Sequence, residues 1–335
     1  MADRVELAFR LAASRLIPDG TRVLAAVSGG ADSVALLHLL RDYARRRGVS
    51  IQLAHLDHGL RRGSRSDRRF VEELARRLEL PCIADRREVS VLRRKDESPE
   101  EAARRVRWGF LNEAATRAGC RCIATGHTLD DQAETILMRL VRGAGATALT
   151  GMSESGPGRT VRPLLAIERE ALRGYLDRRG LSFREDPTNR NLRFDRNRVR
   201  RVVLPLLAES LNPRVARHLV QAARRFREDA LHLDSLAETA FEELSRRDRS
   251  GRLVLDARRL ADLAPAIATR LARLALGRAG SDARRISARH IDGLLDLARG
   301  GRGRRLNLPS RIEARRERGR IVMGPEQLGP RGRLS

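Results

Sequence analysis

The chain has 335 residues, of which 41% are hydrophobic, and this length and composition predict two domains with buried cores. Lysine and arginine total 68 against 43 acidic residues, so the formal net charge is +25. A solvated surface does not need that excess, which favours a polyanionic partner such as a nucleic acid. Aromatic residues, at 3%, argue against a sheet that stacks RNA bases on aromatic side chains.

The cysteines and the apolar segments bear on the compartment. Cys82, Cys120 and Cys122 form no CxxC pair and are odd in number, which predicts a reducing environment without disulfides or a zinc site. Charges near the start of the chain argue against a secretory leader, and no apolar run has the length needed to cross a membrane. We therefore expect a cytoplasmic protein with no membrane partner.

The predicted elements of the first part of the chain alternate between strand and helix. Short apolar runs predict buried strands at residues 22–27, 51–55, 82–85 and 122–125. Apolar spacings of three and four predict helices at residues 33–47, 67–78, 100–118 and 130–142. This alternation predicts an α/β domain with a parallel sheet between layers of helices, in which ligands bind at the carboxyl ends of the strands.

The pattern changes further along the chain. Residues 143–158 are predicted to form a loop, 164–179 a helix, and 215–244 a long helix that contains a domain boundary. The remainder is predicted to be mainly helical, with strand-like pieces at 306–308 and 320–323. We predict a catalytic domain at residues 1–213, a linker helix at 214–228, a smaller, mainly helical domain at 229–325 and a tail at 326–335.

The segment between the first predicted strand and its helix has the features of a phosphate-binding loop. Gly29 and Gly30 permit positive φ and a close approach of backbone amides to a ligand, and the helix that follows favours anions at its N-terminus. Asp32 would repel a bare phosphate, which predicts a bridging Mg²⁺. The alternative is an ordinary capped turn. The predicted phosphate-binding residues are Ser28, Gly29, Gly30, Ala31, Asp32 and Ser33.

This loop resembles the SGGxDS loop of the N-type ATP pyrophosphatases. It is not a Walker A motif, because no Gly-Lys-Ser/Thr follows the glycines. The resemblance implies an adenine nucleotide alpha hydrolase-like fold for the first domain. It also implies that ATP is cleaved between its α and β phosphates, with AMP transferred to a substrate oxygen.

Further motifs narrow the resemblance to the tRNA(Ile)-lysidine synthase family. They are the sequences HLDHGLR at 55–61, EAARRVRW at 101–108, ATGHTLDDQAET at 124–135, and DPTN followed by RNRVR and LP within 186–205. The family joins free L-lysine to the wobble cytidine of the isoleucine tRNA with anticodon CAU, after ATP adenylates the cytosine carbonyl oxygen. The resemblance therefore implies ATP and Mg²⁺ as cofactors, this tRNA and lysine as partners, a tRNA-binding role for 229–325, and no protein partner. The chain is short for the family, so we expect it to lack the further C-terminal domain of longer members.

The acidic residues of the third motif suit the chemistry that the resemblance implies. Asp130, Asp131 and Glu134 have helical spacings that allow them to converge near a helix N-terminus, where they could hold an ammonium group or Mg²⁺. The lysine ε-amine, with a pKa of about 10.4, must lose a proton before it attacks, and one of these acids or His127 could accept it. The alternative is that the acids only complement the helix dipole.

The remaining candidate residues fall into two groups. His55, Asp57 and His58 follow the second predicted strand, where the resemblance places the adenine pocket. The second group contains four arginines and one asparagine that could contact tRNA phosphate or the reacting phosphate, although in so arginine-rich a chain such residues are often plain surface. Its members are Arg104, Arg107, Arg196, Asn197 and Arg200.

Two other functions compete with this interpretation. A tRNA-cytidine 2-thiolation enzyme of the same superfamily would need paired cysteines, and the spacing of Cys120 and Cys122 is wrong for that. A non-catalytic RNA-binding protein would not need to retain Asp32 or the acids at 130–134. A small-molecule ligase would not need a charge of +25.

Overall fold

The computed structural model describes residues 3–59, 63–185, 188, 191–282, 285–300 and 305–325. The chain divides into two compact units, Met1–Arg225 and Phe226–Ser335, and the division falls inside the long helix α10 (Val215–Leu244). The functional limits at residues 213 and 229 stay a prediction, because compactness alone does not identify a catalytic or a tRNA-binding domain.

The first unit is built on a five-stranded sheet. Its strand order is β3-β2-β1-β4-β5, and every neighbouring pair runs parallel. The carboxyl ends of β1, β2, β4 and β5 therefore lie along one edge, with β1 in the middle. The strands are β1 (Arg22–Ala26), β2 (Ser50–Asp57), β3 (Cys82–Arg86), β4 (Cys122–Ala124) and β5 (Thr160–Val161).

Helices cover both faces of this sheet. On β1, Val23 and Ala25 pack into the larger core with α1, α2, α3 and α7, whereas Leu24 packs into a second core with α5. This alternation follows from the two-residue period of a strand. The helices are α1 (Arg4–Leu16), α2 (Ala31–Arg47), α3 (Ser64–Arg77), α4 (Val89–Leu92), α5 (Pro99–Arg117), α6 (Leu129–Val141), α7 (Arg169–Arg178), α8 (Asp195–Arg198) and α9 (Leu204–Ser210).

The predicted α/β class and parallel sheet are confirmed, with several local differences. The sequence analysis missed α1, β5 and the short helices α4, α8 and α9. The strand β5 has only two residues and gives no periodic signal. The helix predicted at 164–179 begins only at Arg169. Leu164 and Ile167 are fully or almost fully buried in the turn before it, so their apolar spacing reflects core packing rather than helix.

The second unit combines helices with a sheet. Its antiparallel strands have the order β6-β7-β10-β9-β8, and its core includes Leu255, Leu271, Leu294 and Ile321. The prediction of a smaller, mainly helical domain holds, but β6, β7 and β9 were not predicted. The elements after α10 are β6 (Ser245–Arg247), β7 (Leu253–Asp256), α11 (Ala257–Asp262), α12 (Pro265–Arg278), α13 (Ala288–Arg299), β8 (Arg305–Leu308), β9 (Ile312–Glu317) and β10 (Arg320–Pro325).

Among the helices that the structure describes, none combines the length and the apolar character that crossing a membrane requires. All three cysteines are free thiols, and Cys120 and Cys122 are buried.

Core packing of α7 should contribute strongly to the stability of the first unit. Leu176 is fully buried, so Leu176→Ala should lower the free energy of unfolding by about 2–5 kcal/mol, through lost burial and a residual cavity. The matched control is Leu11→Ala on α1, where the side chain is 58% exposed, and there we expect a change below about 0.5 kcal/mol. Urea titration followed by circular dichroism measures both. Equal losses would contradict the assigned packing.

Candidate active site

The phosphate loop lies at the carboxyl end of β1. Gly29 has a φ of +93°, a conformation that glycine adopts without strain, and α2 begins two residues later. The Ser33 hydroxyl donates to the carbonyl of Gly30 at 2.8 Å and lies 3.1 Å from the hydroxyl of Ser28. The loop is thus held in a fixed turn at a helix N-terminus, which is the arrangement that binds phosphate oxygens.

A close backbone approach fixes this loop against the next strand. A Cβ atom on Gly126, which follows β4, would lie 3.1 Å from the backbone carbon and oxygen of Asp32. Only glycine fits there without displacing the first turn of α2. Gly126 belongs to the ATGH motif, but the sequence analysis gave it no role of its own.

Only one of the two carboxylate oxygens of Asp32 has a hydrogen-bond partner. Its Oδ2 accepts a hydrogen bond from Arg169 Nε at 3.2 Å, while its Oδ1 is buried without a partner. Burial raises the pKa of Asp32 above its ordinary value, and the charge of Arg169 opposes that shift. An unpaired carboxylate oxygen beside the loop fits a Mg²⁺ ligand. No group of three or more His, Cys, Asp or Glu side chains within the described ranges is placed to hold a metal, so phosphate oxygens would have to complete such a site.

The three predicted acids at the start of α6 surround one arginine. Arg169 Nη2 lies 3.0 Å from Asp131 Oδ1, and Arg169 Nη1 lies 3.5 Å from Glu134 Oε1 and 4.0 Å from Asp130 Oδ1. The backbone N–H of Arg169 also donates to Asp130 Oδ2 at 2.8 Å. The acids therefore do converge, and Arg169 connects them to Asp32 in the phosphate loop.

Arg169 was not singled out from the sequence, although a signal existed. It occupies the first turn of α7, where a positive charge opposes the helix dipole. A cation in that place needs a specific anionic partner, and here it has four carboxylates within 4.0 Å.

Two of the arginines predicted to contact phosphate or tRNA bind the acids in this structure, and their contact with a substrate stays a prediction. Arg196 Nε lies 2.8 Å from Glu134 Oε2, and Arg200 Nε lies 2.6 Å from Glu134 Oε1. Both Nη2 atoms donate to Asp131 Oδ1, at 3.1 and 2.9 Å. They are four residues apart on consecutive helical turns and so share one face. Burial of Asp131 and Glu134 explains the pairing, since a desolvated carboxylate needs a cation.

The surrounding cations stabilise the carboxylate form of Asp131. Burial alone would raise the pKa of Asp131, but the charges of Arg169 and Arg196 outweigh it and hold the pKa below its ordinary value. Asp131 also caps α6, because its Oδ2 accepts from the N–H of Thr128 at 2.9 Å. A cationic ligand at this place would have to compete with guanidinium groups.

Asn197 has a contact of a different kind. Its Nδ2 donates to the carbonyl oxygens of Thr188 and Asn191, at 3.1 and 2.9 Å, and thereby holds the segment before α8. Its contact with tRNA stays a prediction. Of the family motifs, Leu60, Arg61, Asp186, Pro187 and Asn189 lie outside the described residues.

His127 is a weak base in its present surroundings. Its Nδ1 lies 2.9 Å from Thr125 Oγ1. Burial lowers the pKa of His127 to about 4, with the charges of Arg162, Arg107 and Arg196 adding to the shift and Asp131 opposing it. His127 is therefore neutral at pH 7. Its pKa of about 4 is well below the pKa that suits a base accepting a proton from an alkylammonium group.

The predicted adenine-pocket residues lie at the carboxyl end of β2, beside the phosphate loop on β1. His55 Nδ1 contacts the carbonyl of Val27 at 2.8 Å, and its Nε2 is buried without a partner. His58 Nδ1 is also buried and unpaired, and burial lowers the pKa of His58 to about 4. Asp57 accepts from the N–H of Gly59 at 2.9 Å. Neutral imidazoles with free ring nitrogens can hydrogen-bond a purine.

Arg104 and Arg107 on α5 differ from the other arginines of the site. Neither has a carboxylate within ion-pair distance among the residues that the structure describes. A group of cations without acids is suited to an anion from outside the protein.

Known families match both units. A PP-loop domain family matches residues 5–207, and a TilS substrate binding domain family matches residues 255–322. A U34-tRNA thiolase from Methanococcus maripaludis has a similar structure, with a TM-score of 0.57 over 67% of this chain and 78% of that chain. Its identity is 17%, so this likeness concerns the fold alone.

Three curated relatives are tRNA(Ile)-lysidine synthases. The protein of Geobacter sulfurreducens is 40% identical over 88% of this chain and 63% of its own length, and that of Thermus thermophilus is 42% identical over 98% and 60%. The protein of Streptomyces coelicolor is 38% identical over 92% of this chain and 86% of its own. The chain thus spans less than two thirds of the Geobacter and Thermus proteins.

Replacing His127 should flatten the acid side of the stability profile. With a folded-state pKa of about 4 against an ordinary 6.5, the unfolded chain binds a proton between these pH values and the folded chain does not. The free energy of unfolding therefore falls as pH drops through that window, by at most about 1.4 kcal/mol per pH unit for this group. Between pH 7 and pH 5, His127→Gln should lose about 1–2 kcal/mol less than the wild type.

Urea titrations at the two pH values measure this difference. His218→Gln, at an exposed histidine of α10, is the control and should behave like the wild type. An identical loss in His127→Gln and the wild type would contradict the burial of an uncharged imidazole.

Proposed function

Because the chain belongs to the tRNA(Ile)-lysidine synthase family, we propose that it joins free L-lysine to C2 of the wobble cytidine of tRNA(Ile) with anticodon CAU, at the expense of ATP. The product base, lysidine, pairs with adenine, so the tRNA would change from methionine to isoleucine identity. The reaction makes the protein a ligase that forms a C–N bond.

One observation carries this proposal, namely that Arg169 joins the phosphate loop to the acid cluster. Its guanidinium lies 3.2 Å from Asp32 and 3.0 Å from Asp131, so the place for phosphates and the place for a cation belong to one site. A reaction that consumes ATP and then an amine needs the ATP phosphates and the amine within reach of the same cytosine. The acids already hold guanidinium groups, which supports their ability to hold an alkylammonium.

In the first step, the cytosine O2 attacks the α-phosphorus of ATP. An O–P bond forms, the bond from the α-phosphorus to the bridging oxygen breaks, and pyrophosphate leaves. The amides of the loop and the hydroxyls of Ser28 and Ser33 bind the leaving pyrophosphate at the N-terminus of α2. Mg²⁺, when bound, would neutralise phosphate charge, and Asp32 Oδ1 is the free ligand atom for it.

In the second step, the lysine ε-amine attacks C2 of the adenylated cytosine. The C–N bond forms, the C–O bond to the phosphate breaks, and AMP leaves. Asp131 and Glu134 would hold and orient the ε-ammonium group as it enters, in place of Arg196 and Arg200. We expect the proton to pass to solvent, because His127, with a pKa of about 4, and Asp131, whose pKa is held below its ordinary value, are both weak bases.

The thiolation alternative is not favoured. A persulfide or cluster chemistry needs thiolates, and burial raises the pKa of both Cys82 and Cys122 to about 11. The presence of three free thiols without a disulfide supports a reducing compartment, and we place the reaction in the cytoplasm.

Lysine transfer is the direct test of the function. Incubation with ATP, radiolabelled lysine and tRNA transcripts should label the CAU isoleucine tRNA and leave methionine tRNA unlabelled. Asp32→Ala should lose more than about 100-fold in transfer rate while tRNA affinity stays within about twofold, because Asp32 acts on phosphates rather than on RNA. The exposed Asp19→Ala is the matched control and should transfer normally. Absence of label with every tRNA would refute the proposal.

The charge excess leads to a second expectation, on tRNA binding. Arginine–phosphate contacts release counterions, so log affinity should fall by about 0.7–0.9 per log unit of salt for each phosphate neutralised. Filter binding at several salt concentrations should give a total slope of several units for the wild type. Asp32→Ala should have the same slope. A flat response would mean that the charge of +25 is compositional and does not grip the RNA.

A further inference from the structure

Arg162 is a buried arginine that the catalytic scheme does not use. It directly follows β5, and only 6% of the residue is exposed. Its Nη1 donates to the carbonyl of Ser153 at 2.7 Å, while its Nε is buried without a partner. No carboxylate of the described ranges lies within ion-pair distance of it. Arg169, Arg196 and Arg200, by contrast, each bind at least two acids.

A buried arginine without an anionic partner destabilises the folded state. A desolvated guanidinium without an anion costs several kcal/mol, and a hydrophobic residue would fill the same space without that cost. Burial, together with repulsion from Arg104, lowers the pKa of Arg162 below its ordinary value. The structure therefore retains an unfavourable charge, which is the mark of a group that meets an anionic ligand.

Its position separates it from the sites already occupied by other groups. In the sheet order, β5 lies two strands from β1 and three from β2, which is about 10 Å from the phosphate loop and about 14 Å from the adenine-pocket residues. A nucleotide that runs from β2 to β1 thus has its phosphates on the loop. The acids of α6, which follow β4, serve the lysine. Of the anionic parts of the substrates, the tRNA backbone and the carboxylate of lysine have no assigned partner among the buried groups, and only the backbone extends along a row of several cations.

Arg162 also belongs to a set of cations that differ in solvent exposure, which we call the basic strip: Arg104, Arg107 and Arg162. Arg104 and Arg107 are exposed on α5, and Arg162 is the buried end. The charges of Arg107 and Arg162 both act on His127, so the basic strip leads to His127 in the candidate site. A polyanion that follows the strip inward arrives beside the acid cluster.

We propose that Arg162 binds a backbone phosphate that flanks the target cytidine, and that the basic strip leads this part of the anticodon loop into the site. The inference rests on the proposed function and adds to it a tRNA-binding residue that the sequence motifs did not mark. A base that is modified at C2 must leave its stack, and its two phosphates move with it. The Nε atom of Arg162 has no partner within the described part of the chain, and the edge of a guanidinium can meet two oxygens of one phosphate.

The loop over Arg162 fixes the guanidinium in place. Arg162 N donates to the carbonyl of Glu154 at 2.8 Å, and a Cβ on Gly156 would lie only 2.5 Å from Arg162 Nη1. Glycine at 156 therefore lets the chain pack directly on the guanidinium. Gly156→Ala is a second way to displace the charge without removing it.

The test combines protein variants with a neutral backbone at chosen phosphates. Arg162→Gln should weaken binding of the CAU tRNA by about 10–100-fold, as expected for a charged hydrogen bond, while the KM values for ATP and lysine stay within about twofold. A single methylphosphonate 5′ or 3′ to the cytidine should weaken wild-type binding by a similar factor. At the contacted position it should have no further effect in Arg162→Gln, because the two changes remove one interaction.

Controls separate a binding role from a structural one. Arg159→Gln changes an exposed arginine at the amino end of the same strand, which bonds only the carbonyl of Cys120, and should leave tRNA affinity unchanged. Arg162→Lys should recover part of the affinity, and Gly156→Ala should lose part of it. Urea unfolding establishes that each variant is folded. Should Arg162→Gln not fold, Arg162→Lys and Gly156→Ala still decide the question through the methylphosphonate comparison.

Other outcomes would overturn the proposal in distinct ways. A raised KM for lysine but not for lysinamide would assign Arg162 to the amino-acid carboxylate, and a raised KM for ATP would assign it to the nucleotide. Fully additive effects of Arg162→Gln and both methylphosphonates would exclude a phosphate contact. The binding comparison needs no lysine transfer, so a wild type that binds tRNA but transfers no lysine would refute the proposed function alone. A wild type that binds no tRNA would refute both.

Discussion

The burial of two carboxylates on α6 is the constraint on which the arrangement of the site depends. Glu134 has no solvent-exposed side-chain surface and Asp131 has 9%. Charges in such places must be paired, because the loss of hydration costs several kcal/mol for each ion. Arg169 from the start of α7 and Arg196 and Arg200 from the segment around α8 supply the pairing. Elements that are distant in sequence are thereby drawn to one point at the carboxyl edge of the sheet.

The pairing of buried carboxylates with Arg169 also fixes the position of the phosphate loop relative to α6. Arg169 reaches Asp32 as well as the acids of α6, so the first turn of α2 and the first turn of α6 share a cation. The absence of a side chain at Gly126 allows its backbone to approach the backbone of Asp32 closely. The predicted phosphate loop and the acids proposed to bind the amine are therefore joined by direct contacts rather than by mere proximity on the sheet.

The acidic side of the site, formed by the acids of α6, and the basic side, formed by the basic strip, differ in how far their charges are paired within the protein. On the acidic side, every buried carboxylate of α6 has guanidinium partners, so an entering ammonium exchanges one cation for another. On the basic side, Arg104, Arg107 and Arg162 have no acids within ion-pair distance in the described part of the chain, so an entering anion gains pairing that the protein itself does not provide. Binding energy for a polyanion should consequently come mainly from the basic side.

Most of the first unit could be predicted from sequence because its signals are local. The strands β1, β2 and β4 are short apolar runs, and α2, α5 and α6 have clear helical periodicity. The two-residue β5 and the strands β6, β7 and β9 of the second unit were not predicted from such a signal. In β9, for example, Ile312 and Ala314 are buried but arginines follow them, and only the neighbouring strands β10 and β8 make the segment a strand.

The sequence by itself determined the phosphate loop and the spacing of the acids, because both depend on residues within one turn of each other. Glycines at 29 and 30 set the turn, and a spacing of three or four sets a helix face. Only the tertiary structure decided which cations meet those acids. Arg169 lies 137 residues from Asp32 in the chain, and Arg200 lies 66 residues from Glu134. The low pKa of His127 and the unpaired state of Arg162 were also decided there, since desolvation and pairing depend on packing between elements and not on neighbours in sequence.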